Sequence, residues 1–431
     1  MLALLVAAAV TGALFAIGTD FLVGVWLGLE TTGGAAEVPV RPRGFWHAAH
    51  RGQRDGEGGP ARDAEERARF VALPYLGGRA PAPEDGELGV VLHHRARAYQ
   101  GLNLYNSGHG PEAILMDMDG RVLHRWRRAF EEAFPDVEPT TDTGFFRRVH
   151  PFPDGRLLAL YQTGGLVLLD RRSRPIATCP GSFYNDLWVG NDGRIWTVAK
   201  EVLAEDAPFS RLDDFLVLLR LDARNRCREE RRISLTEAFR DSGYAHLLDR
   251  MPHAGDVLHA NTVTELEGSL ASVDPRYARG NLLVSIRELD LVAIVDPRSE
   301  QVLWAQRGPW RHQHEPSLLE NGRILLFDNE GYDGFSRLVE VDPGTGAIAW
   351  SWPRSPTPSF ASRLAGTCSR LEGGNTLITE SVPGRAFEID PEGRILWEFR
   401  SPHRAGSDDS LVAMLFEVQR LPPGFFTPSF P

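Results

Sequence analysis

Two segments, ENGRILLFD (320–328) and PEGRILWEF (391–399), show the pattern that decides the fold: a polar turn with glycine, followed by a short run of residues that favour a β-strand. The pattern recurs at MDGRVLHRW (118–126), PDGRLLALY (153–161), NDGRIWTVA (191–199) and GGNTLITES (373–381). The glycine supplies the positive φ that tight turns between strands require. The recurrence indicates an all-β protein built from repeated hairpins.

A second element often follows the first: a strand, a turn that contains aspartate, and a strand that ends in an aromatic residue. Examples are LVAIVDPRSEQVLW (291–304), LVEVDPGTGAIAW (338–350) and AFEIDPEGRILW (386–397). The two elements together form a unit of ~40–50 residues with about four short strands, which is typical of a β-propeller blade. Dividing residues 90–420 by this period gives roughly six to eight blades in one propeller. We expect LVAMLFEVQRL (411–421) to pair with the first blade and close the ring.

The N-terminal region has a different composition. Residues 2–29 are apolar apart from Asp20, and a run of this length can span a bilayer. It is longer than the apolar core of a secretory signal and has no basic residues before it, so it predicts an uncleaved transmembrane anchor. We therefore divide the chain into an anchor (1–30), a linker and approach segment (31–85), the propeller (86–421) and a C-terminal tail (422–431). A helical insertion is expected at LTEAFRDSGYAHLLDR, within 235–256.

The charge and cysteine content exclude some classes of protein. The 431 residues carry a formal charge of −11, so no basic patch could dominate the surface, and a nucleic-acid partner is not expected. Lys200 is the only lysine in the chain. Cys179, Cys227 and Cys368 are far apart and form no Cys-x-x-Cys pair, so neither a zinc site nor a disulfide framework is expected.

Polar residues within predicted inner strands are candidates for a site, because inner strands of propellers are normally apolar or small. His259 and Asn261, in DVLHANTVTEL (256–266), are two residues apart and would share one face of a strand. Arg287 lies between two apolar strand runs in NLLVSIRELDLVAIVD (281–296). His312 and His314, in WRHQHEPSLLENGRILLFDN (310–329), repeat the two-residue spacing. An arginine, an asparagine and several histidines would make a pocket for an oxyanion.

Further candidates are less specific. His150, in RRVHPFPDG, precedes another repeat strand and could face the channel. Metal binding is disfavoured, because the histidines lack a HExxH motif or an equivalent carboxylate pattern. A quinone-dependent propeller enzyme is also disfavoured, because only VDPGTGAIAW (341–350) approaches a docking repeat for pyrroloquinoline quinone. No cofactor is expected.

At these residues the chain resembles the bacterial arylsulfotransferases, over most of residues 68–420. DVLHANTV is similar to the His-x-Asn segment of that family, VSIRELDLVAIVD to its substrate-arginine segment, and HQHEPSLLENGRILLFDNEG to the segment with the nucleophilic histidine. The resemblance implies a six-bladed propeller that transfers a sulfuryl group from a phenolic sulfate to another phenol. It places the nucleophile at His314, with His259, Asn261 and Arg287 as catalytic partners. His150, His312 and Asn185 are candidate substrate-binding residues from their own positions in the repeats, apart from the resemblance.

The chain departs from the family pattern at one point: where many members carry a further histidine, FYNDLWVGNDG (183–193) has Tyr184, Asn185 and Asp186. The resemblance is to the membrane-anchored branch, with the propeller on the periplasmic side of the inner membrane. The expected partners are an aryl sulfate, a phenol, the membrane and any protein bound through the anchor. The alternative is a non-catalytic, membrane-anchored propeller that serves as a binding or assembly platform.

Overall fold

The computed structural model describes residues 46–48, 87–203, 211–222, 224–252, 255–357, 359–405, 411–427 and 430. The predicted anchor, and the predicted linker apart from residues 46–48, lie outside the described residues. Within the described ranges, no helix is long and apolar enough to span a membrane.

The described chain forms a six-bladed β-propeller, in agreement with the sequence prediction. Strands β1 (Trp46–Ala48) and β2 (Gly89–His93) precede the first blade. Blade 1 contains β3 (Leu102–Ser107), β4 (Glu112–Met116) and β5 (Val122–Arg127). Blade 2 contains β6 (Arg148–Pro151), β7 (Leu157–Tyr161), β8 (Gly165–Leu169) and β9 (Pro175–Pro180). Blade 3 contains β10 (Phe183–Val189), β11 (Arg194–Leu203), β12 (Arg211–Leu221), β13 (Cys227–Ser234) and β14 (Gly255–Asp256).

The second half of the chain continues in the same way. Blade 4 contains β15 (Ala260–Glu265), β16 (Leu282–Ile286), β17 (Leu291–Asp296) and β18 (Gln301–Arg307). Blade 5 contains β19 (His314–Leu318), β20 (Ile324–Tyr332), β21 (Phe335–Val341) and β22 (Ile348–Trp352). Blade 6 contains β23 (Thr367–Arg370), β24 (Thr376–Glu380), β25 (Arg385–Ile389) and β26 (Ile395–Arg400). Strands β27 (Arg404–Ala405), β28 (Leu411–Ala413) and β29 (Leu415–Leu421) follow.

The ring is closed from both ends of the propeller. β29 is the inner strand of blade 1 and pairs with β3, which confirms the closure predicted from residues 411–421. β2 is the outer strand of blade 6 and pairs with β26. A small separate sheet joins β27 and β28 to β1, with Trp46 opposite Ala413. Both closures tie segments far apart in sequence into a single sheet, so neither blade 1 nor blade 6 is complete without the other end of the chain.

The repeat turns and the core follow the sequence pattern. Gly155 and Gly322, in two of the predicted turns, have φ values of +85° and +79°, which a residue with a side chain adopts only with strain. Apolar side chains of neighbouring blades pack face to face. Leu115 of blade 1, for example, shares a buried cluster with Leu157 and Val167 of blade 2. Burial of these inter-blade faces is the main force that holds the ring together.

The predicted helical insertion is present and lies between β13 and β14, at the end of blade 3. It consists of helix α2 (Leu235–Arg240) and a 3₁₀ turn (Ala245–Arg250); a shorter helix, α1 (Phe130–Ala133), follows blade 1. The Ser234 hydroxyl caps α2 by accepting a hydrogen bond from the Glu237 N–H at 3.1 Å. Leu235, Ala238 and Phe239 bury the inner face of α2 in the core of blades 3 and 4.

The cysteine prediction was wrong. Cys179 and Cys227 form a disulfide, with Cα atoms 5.3 Å apart, and Cys368 is a buried free thiol. The two half-cystines are 48 residues apart, which is about one blade repeat. They therefore occupy the outer strands of adjacent blades, β9 and β13, which the fold places side by side. Large sequence separation alone could not exclude this pair, because a repeat architecture brings residues one period apart together.

Candidate functional site

The candidate site forms where the inner strands of the blades begin. Four of the six inner strands carry a β-bulge at this end; the bulges lie between Leu415 and Glu417, Tyr184 and Leu187, Ala260 and Thr262, and His314 and Ser317. A bulge inserts an extra residue and turns its side chain away from the regular alternation of the strand. The bulge residues Phe416, Asn185, Asn261 and Glu315 line one small cavity, together with Arg147, Arg148, His314 and Thr367.

His314, the predicted nucleophile, is 4% exposed. Its Nδ1 lies 2.8 Å from Asn329 Oδ1 and 3.0 Å from the His312 carbonyl oxygen. The Asn329 amide is fixed in this orientation because its nitrogen donates to the carbonyl oxygens of Ser362 and Ala365. Both neighbours of His314 Nδ1 are acceptors, so Nδ1 carries the ring proton and Nε2 keeps a free lone pair.

The surroundings of His314 also favour the neutral ring. Burial lowers its pKa well below the ordinary value, and the nearby positive charges of Arg287 and Arg147 and the ring of His259 lower it further. The hydrogen bond with Asn329 acts in the opposite direction and does not cancel these effects. A neutral imidazole with an unprotonated Nε2 is the form of histidine that can attack an electrophile.

His259 and Asn261 are close in sequence but take different partners. Strand β15 begins only at Ala260 and is bulged at once, and His259 has a φ of +51°, so the strand alternation assumed from the sequence does not apply. The Nδ1 of His259 lies 2.6 Å from Asp256 Oδ2. The side-chain amide of Asn261 donates to the Gln313 carbonyl oxygen at 2.8 Å, directly beside His314.

Arg287 opens the 3₁₀ turn between β16 and β17. Its backbone N–H donates to the His259 carbonyl oxygen at 3.1 Å, and its guanidinium is largely buried and paired with Glu288. Its charge lowers the pKa of both His259 and His314. Of the four residues predicted as catalytic, His314 and Asn261 line the cavity, whereas Arg287 and His259 are not among its lining residues and act on His314 through their charge.

The three residues predicted for substrate binding are placed differently. Asn185 lines the cavity in the left-handed conformation, with a φ of +58°, and its amide donates to the Ala260 carbonyl oxygen. The His312 ring lies 3.4 Å from Glu330 and is paired with that carboxylate. The contact of His312 with His314 Nδ1 is made by the backbone carbonyl oxygen of His312. His150 lies on β6 against Phe152 and is not among the residues lining the cavity; burial lowers its pKa to about 4.

Two arginines of the cavity were missed by the sequence prediction. Arg148 is buried and pairs with Asp186 at 2.5 Å, Glu315 at 2.5 Å and Glu417 at 3.1 Å. Arg147 lies over the Phe416 ring, 5.0 Å from its centroid. Arg147 and Arg148 precede His150 in RRVHPFPDG. Two consecutive arginines at the start of an apolar strand were the sequence feature that could have identified them as site residues.

Lys200 was also not predicted, and it lies next to His259. Its ammonium pairs with Asp256, lies 3.9 Å from Asp214, and stands 4.1 Å from the centroid of the Tyr184 ring. Burial alone would raise the pKa of Asp256, but His259 and Lys200 hold it below its usual range. Asp256 is therefore an anion that accepts a hydrogen bond from Nδ1 of His259, which leaves the lone pair of the neutral ring on Nε2. Within the described ranges, this site included, no group of three or more His, Cys, Asp or Glu residues could hold a metal ion.

Comparison with known families matches one part of the chain. Residues 231–402 match the family model described as arylsulfotransferase (ASST). The matched range contains His259, Asn261, Arg287 and His314, whereas Arg147, Asn185 and His150 precede it. Among curated proteins, none matches the chain.

Solved structures with similar folds share little sequence with this chain. A protein of unknown function from Bacteroides caccae is 13% identical and has a TM-score of 0.45; the alignment covers 74% of this chain and 98% of that chain. The β-propeller domain of Cps50 (Swd1) from Myceliophteria thermophila is 12% identical with a TM-score of 0.43, covering 77% and 96%. A streptogramin B lyase is 13% identical with a TM-score of 0.41, covering 79% and 95%.

Proposed function

We propose that the protein is an aryl-sulfate sulfotransferase that works through a sulfohistidine at His314. The observation that carries the proposal is the environment of His314: a buried imidazole whose Nδ1 faces two acceptors and whose Nε2 is unprotonated. The match of residues 231–402 to the arylsulfotransferase family model supports the same class of reaction. The proposal treats the chain as an enzyme that needs no nucleotide sulfate donor.

In the first half-reaction, the Nε2 lone pair of His314 attacks the sulfur of an aryl sulfate. The N–S bond forms as the bond between sulfur and the aryl oxygen breaks, and the electron pair leaves with the phenolate. Charge develops on the sulfuryl oxygens and on the leaving oxygen, as in the related displacement at phosphorus. Asn261 would stabilise this charge because it lines the cavity with His314, and Arg287 because its positive charge acts on the His314 ring.

In the second half-reaction, an acceptor phenol attacks the sulfohistidine. Nε2 of His259 removes the phenol proton as the new S–O bond forms and the N–S bond breaks, and Asp256 stabilises the imidazolium that results. The proton then passes to a departing phenolate in the next cycle. The assignment of His259 as the base is consistent with its pKa, which burial and the charge of Lys200 lower. A lowered pKa favours the neutral form of His259 at rest.

The proposal is tested by transfer from 4-nitrophenyl sulfate to a second phenol. The wild-type protein should release nitrophenol and form a new aryl sulfate, and His314→Ala should abolish both products. Arg287→Ala should slow transfer by ~10²–10³-fold, the usual cost of losing one group that stabilises an oxyanion. Wild-type protein that catalyses no transfer across a panel of aryl sulfates would favour the alternative, a non-catalytic binding or assembly platform.

We further propose that the N-terminal run anchors the protein in the inner membrane with the propeller on the periplasmic side. The apolar sequence 2–29 supports the anchor. The Cys179–Cys227 disulfide supports the periplasmic side, because disulfides persist in oxidising compartments. Arg41, Arg43, Arg51 and Arg54, which follow the anchor, would by the positive-inside rule favour the opposite orientation. Protease treatment of spheroplasts, followed by membrane fractionation, separates the two orientations, because it releases a periplasmic propeller and spares a cytoplasmic one.

A further inference from the structure

Arg147 differs from the other two arginines near His314. Arg148 is neutralised by three carboxylates, and Arg287 is paired with Glu288. Arg147 lines the same cavity, yet within the described part of the chain its guanidinium has no hydrogen bond and no carboxylate within ion-pair distance. Its contact is with the face of the Phe416 ring. All five of its N–H donors are therefore available to a ligand.

Arg147 is partly buried, and a guanidinium that loses part of its water without gaining a hydrogen-bond partner is costly. Burial lowers the pKa of Arg147 to about 10, and the charge of Arg148 adds to this effect. The carboxylates of Asp186 and Glu315 partly compensate, but both are already engaged by Arg148. Arg147 nevertheless stays charged at neutral pH, so an anion in the cavity would supply the partner that it lacks.

The charges around the cavity also limit which anion can bind. Asp186, Glu315 and Glu417 place three carboxylates beside the two guanidiniums of Arg147 and Arg148. The three carboxylates outnumber the two guanidiniums, and of the two only Arg147 keeps N–H donors free for an anion, since Arg148 uses all of its nitrogens on the carboxylates. A second negative charge on the same ligand would face the carboxylates without a cation of its own.

We propose that Arg147 binds the single negative charge of the sulfuryl group and thereby selects monoanionic sulfate esters over dianionic phosphate esters. The inference deepens the proposed function and rests on it for the identity of the substrate. Phe416 holds the guanidinium plane at the cavity, which favours two parallel hydrogen bonds to sulfuryl oxygens. Arg147 lies outside the residues that match the family model, directly before β6, the inner strand of blade 2.

The test uses ligands that cannot be transferred, so that binding is measured without chemistry. Benzenesulfonate, a monoanion, and benzenephosphonate, mostly a dianion at pH 8, are titrated by calorimetry into the wild-type protein, Arg147→Gln, Arg147→Lys and a control, Arg127→Gln. Arg127 is exposed at the end of β5, and its substitution removes the same charge. Melting curves establish that each variant is folded.

We expect the wild-type protein to bind the sulfonate more tightly than the phosphonate. Arg147→Gln should lose affinity for the sulfonate by about 10–100-fold, the usual value of hydrogen bonds to a charged group. Arg147→Lys should recover part of this loss, and Arg127→Gln should bind like the wild type. Unchanged sulfonate affinity in Arg147→Gln, no sulfonate binding by the wild type, or preference for the phosphonate would overturn the inference. A protein that binds the sulfonate through Arg147 but never transfers a sulfuryl group would refute the proposed function alone.

Discussion

The Nδ1 of His314 lies 2.8 Å from the Oδ1 of Asn329, and the Asn329 nitrogen donates to two backbone carbonyl oxygens. Because the amide cannot turn over without losing both donated bonds, it presents an acceptor to His314 permanently. This relationship fixes the tautomer of the ring and assigns the reactive lone pair to Nε2. Through Asn329, the backbone around Ser362 helps to determine the reactive form of His314 at the cavity.

Asn329→Ala should therefore impair the reaction of His314 more than the binding of substrate. We expect sulfohistidine formation to slow by about 10–100-fold, a common cost of losing a partner that orients a functional histidine. Single-turnover kinetics with 4-nitrophenyl sulfate measure this step. Asn281→Ala is the matched control, because Asn281 is equally buried and bonds a backbone carbonyl away from the site. If both variants slow sulfohistidine formation equally, the effect of Asn329→Ala reflects a general loss of stability and not the loss of the partner that orients His314.

Asp256→Asn tests the role given to His259. The substitution removes the anion that stabilises protonated His259, so we expect discharge of the sulfohistidine to a phenol to slow by about 10²-fold, the low end of general-base contributions. Sulfohistidine formation from 4-nitrophenyl sulfate should change less, since 4-nitrophenolate leaves without needing a proton. Rapid-quench analysis separates the two half-reactions. Slowing confined to the first of them would be incompatible with His259 as the base for the acceptor.

The pH dependence of the first half-reaction follows from the lowered pKa of His314. An ordinary histidine is half protonated near pH 6.5 and would lose half of its nucleophilic form there. Since burial and the neighbouring cations lower the pKa of His314 well below that value, its rate of sulfation should stay level as the pH falls from 8 through about 6.5. Stopped-flow release of nitrophenol measures the profile, and a decline centred near pH 6.5 would show an imidazole with an ordinary pKa.

The disulfide should stabilise the propeller without contributing to the reaction. Cys179 and Cys227 join the outer strands of blades 2 and 3, away from the inner-strand ends that form the cavity. Replacing both with serine should lower the free energy of unfolding by about 2–4 kcal/mol, the typical contribution of a bridge that closes a loop of this size. Denaturant titrations of the variant and the wild type, each with and without reductant, measure the difference. An added effect of reductant on the variant would point to another oxidised group.

The sequence was sufficient to predict the fold because every blade of a propeller repeats the same pattern of turns and strands. Each turn such as Asp154–Gly155 marks a hairpin, and the period of these turns determines how many blades the chain can build. The ring closure by β29 was also predictable, since a strand-like tail remained after the last repeat. The disulfide was missed because residues one repeat apart in sequence become neighbours only after the blades are assembled.

The site was predicted less completely for a physical reason. Alternation along a regular strand was used to place His259 and Asn261, but bulges at the inner-strand ends cancel that alternation exactly where the cavity forms. Arg147 and Lys200 contact partners far away in the sequence, Phe416 and Asp256, and no local pattern indicates such contacts. His314 could be identified from the sequence, whereas Asn329, which determines its tautomer, could not.

The most direct test of the account is the covalent intermediate itself. The wild-type protein is mixed with 4-nitrophenyl sulfate without acceptor, quenched in alkali to preserve sulfohistidine, and analysed by intact mass and peptide mapping. The account predicts one sulfuryl adduct per chain, located on His314, discharged by added phenol and absent from His314→Ala. An adduct on another residue, or nitrophenol release and transfer without any adduct, would contradict the central claim that His314 carries the sulfuryl group.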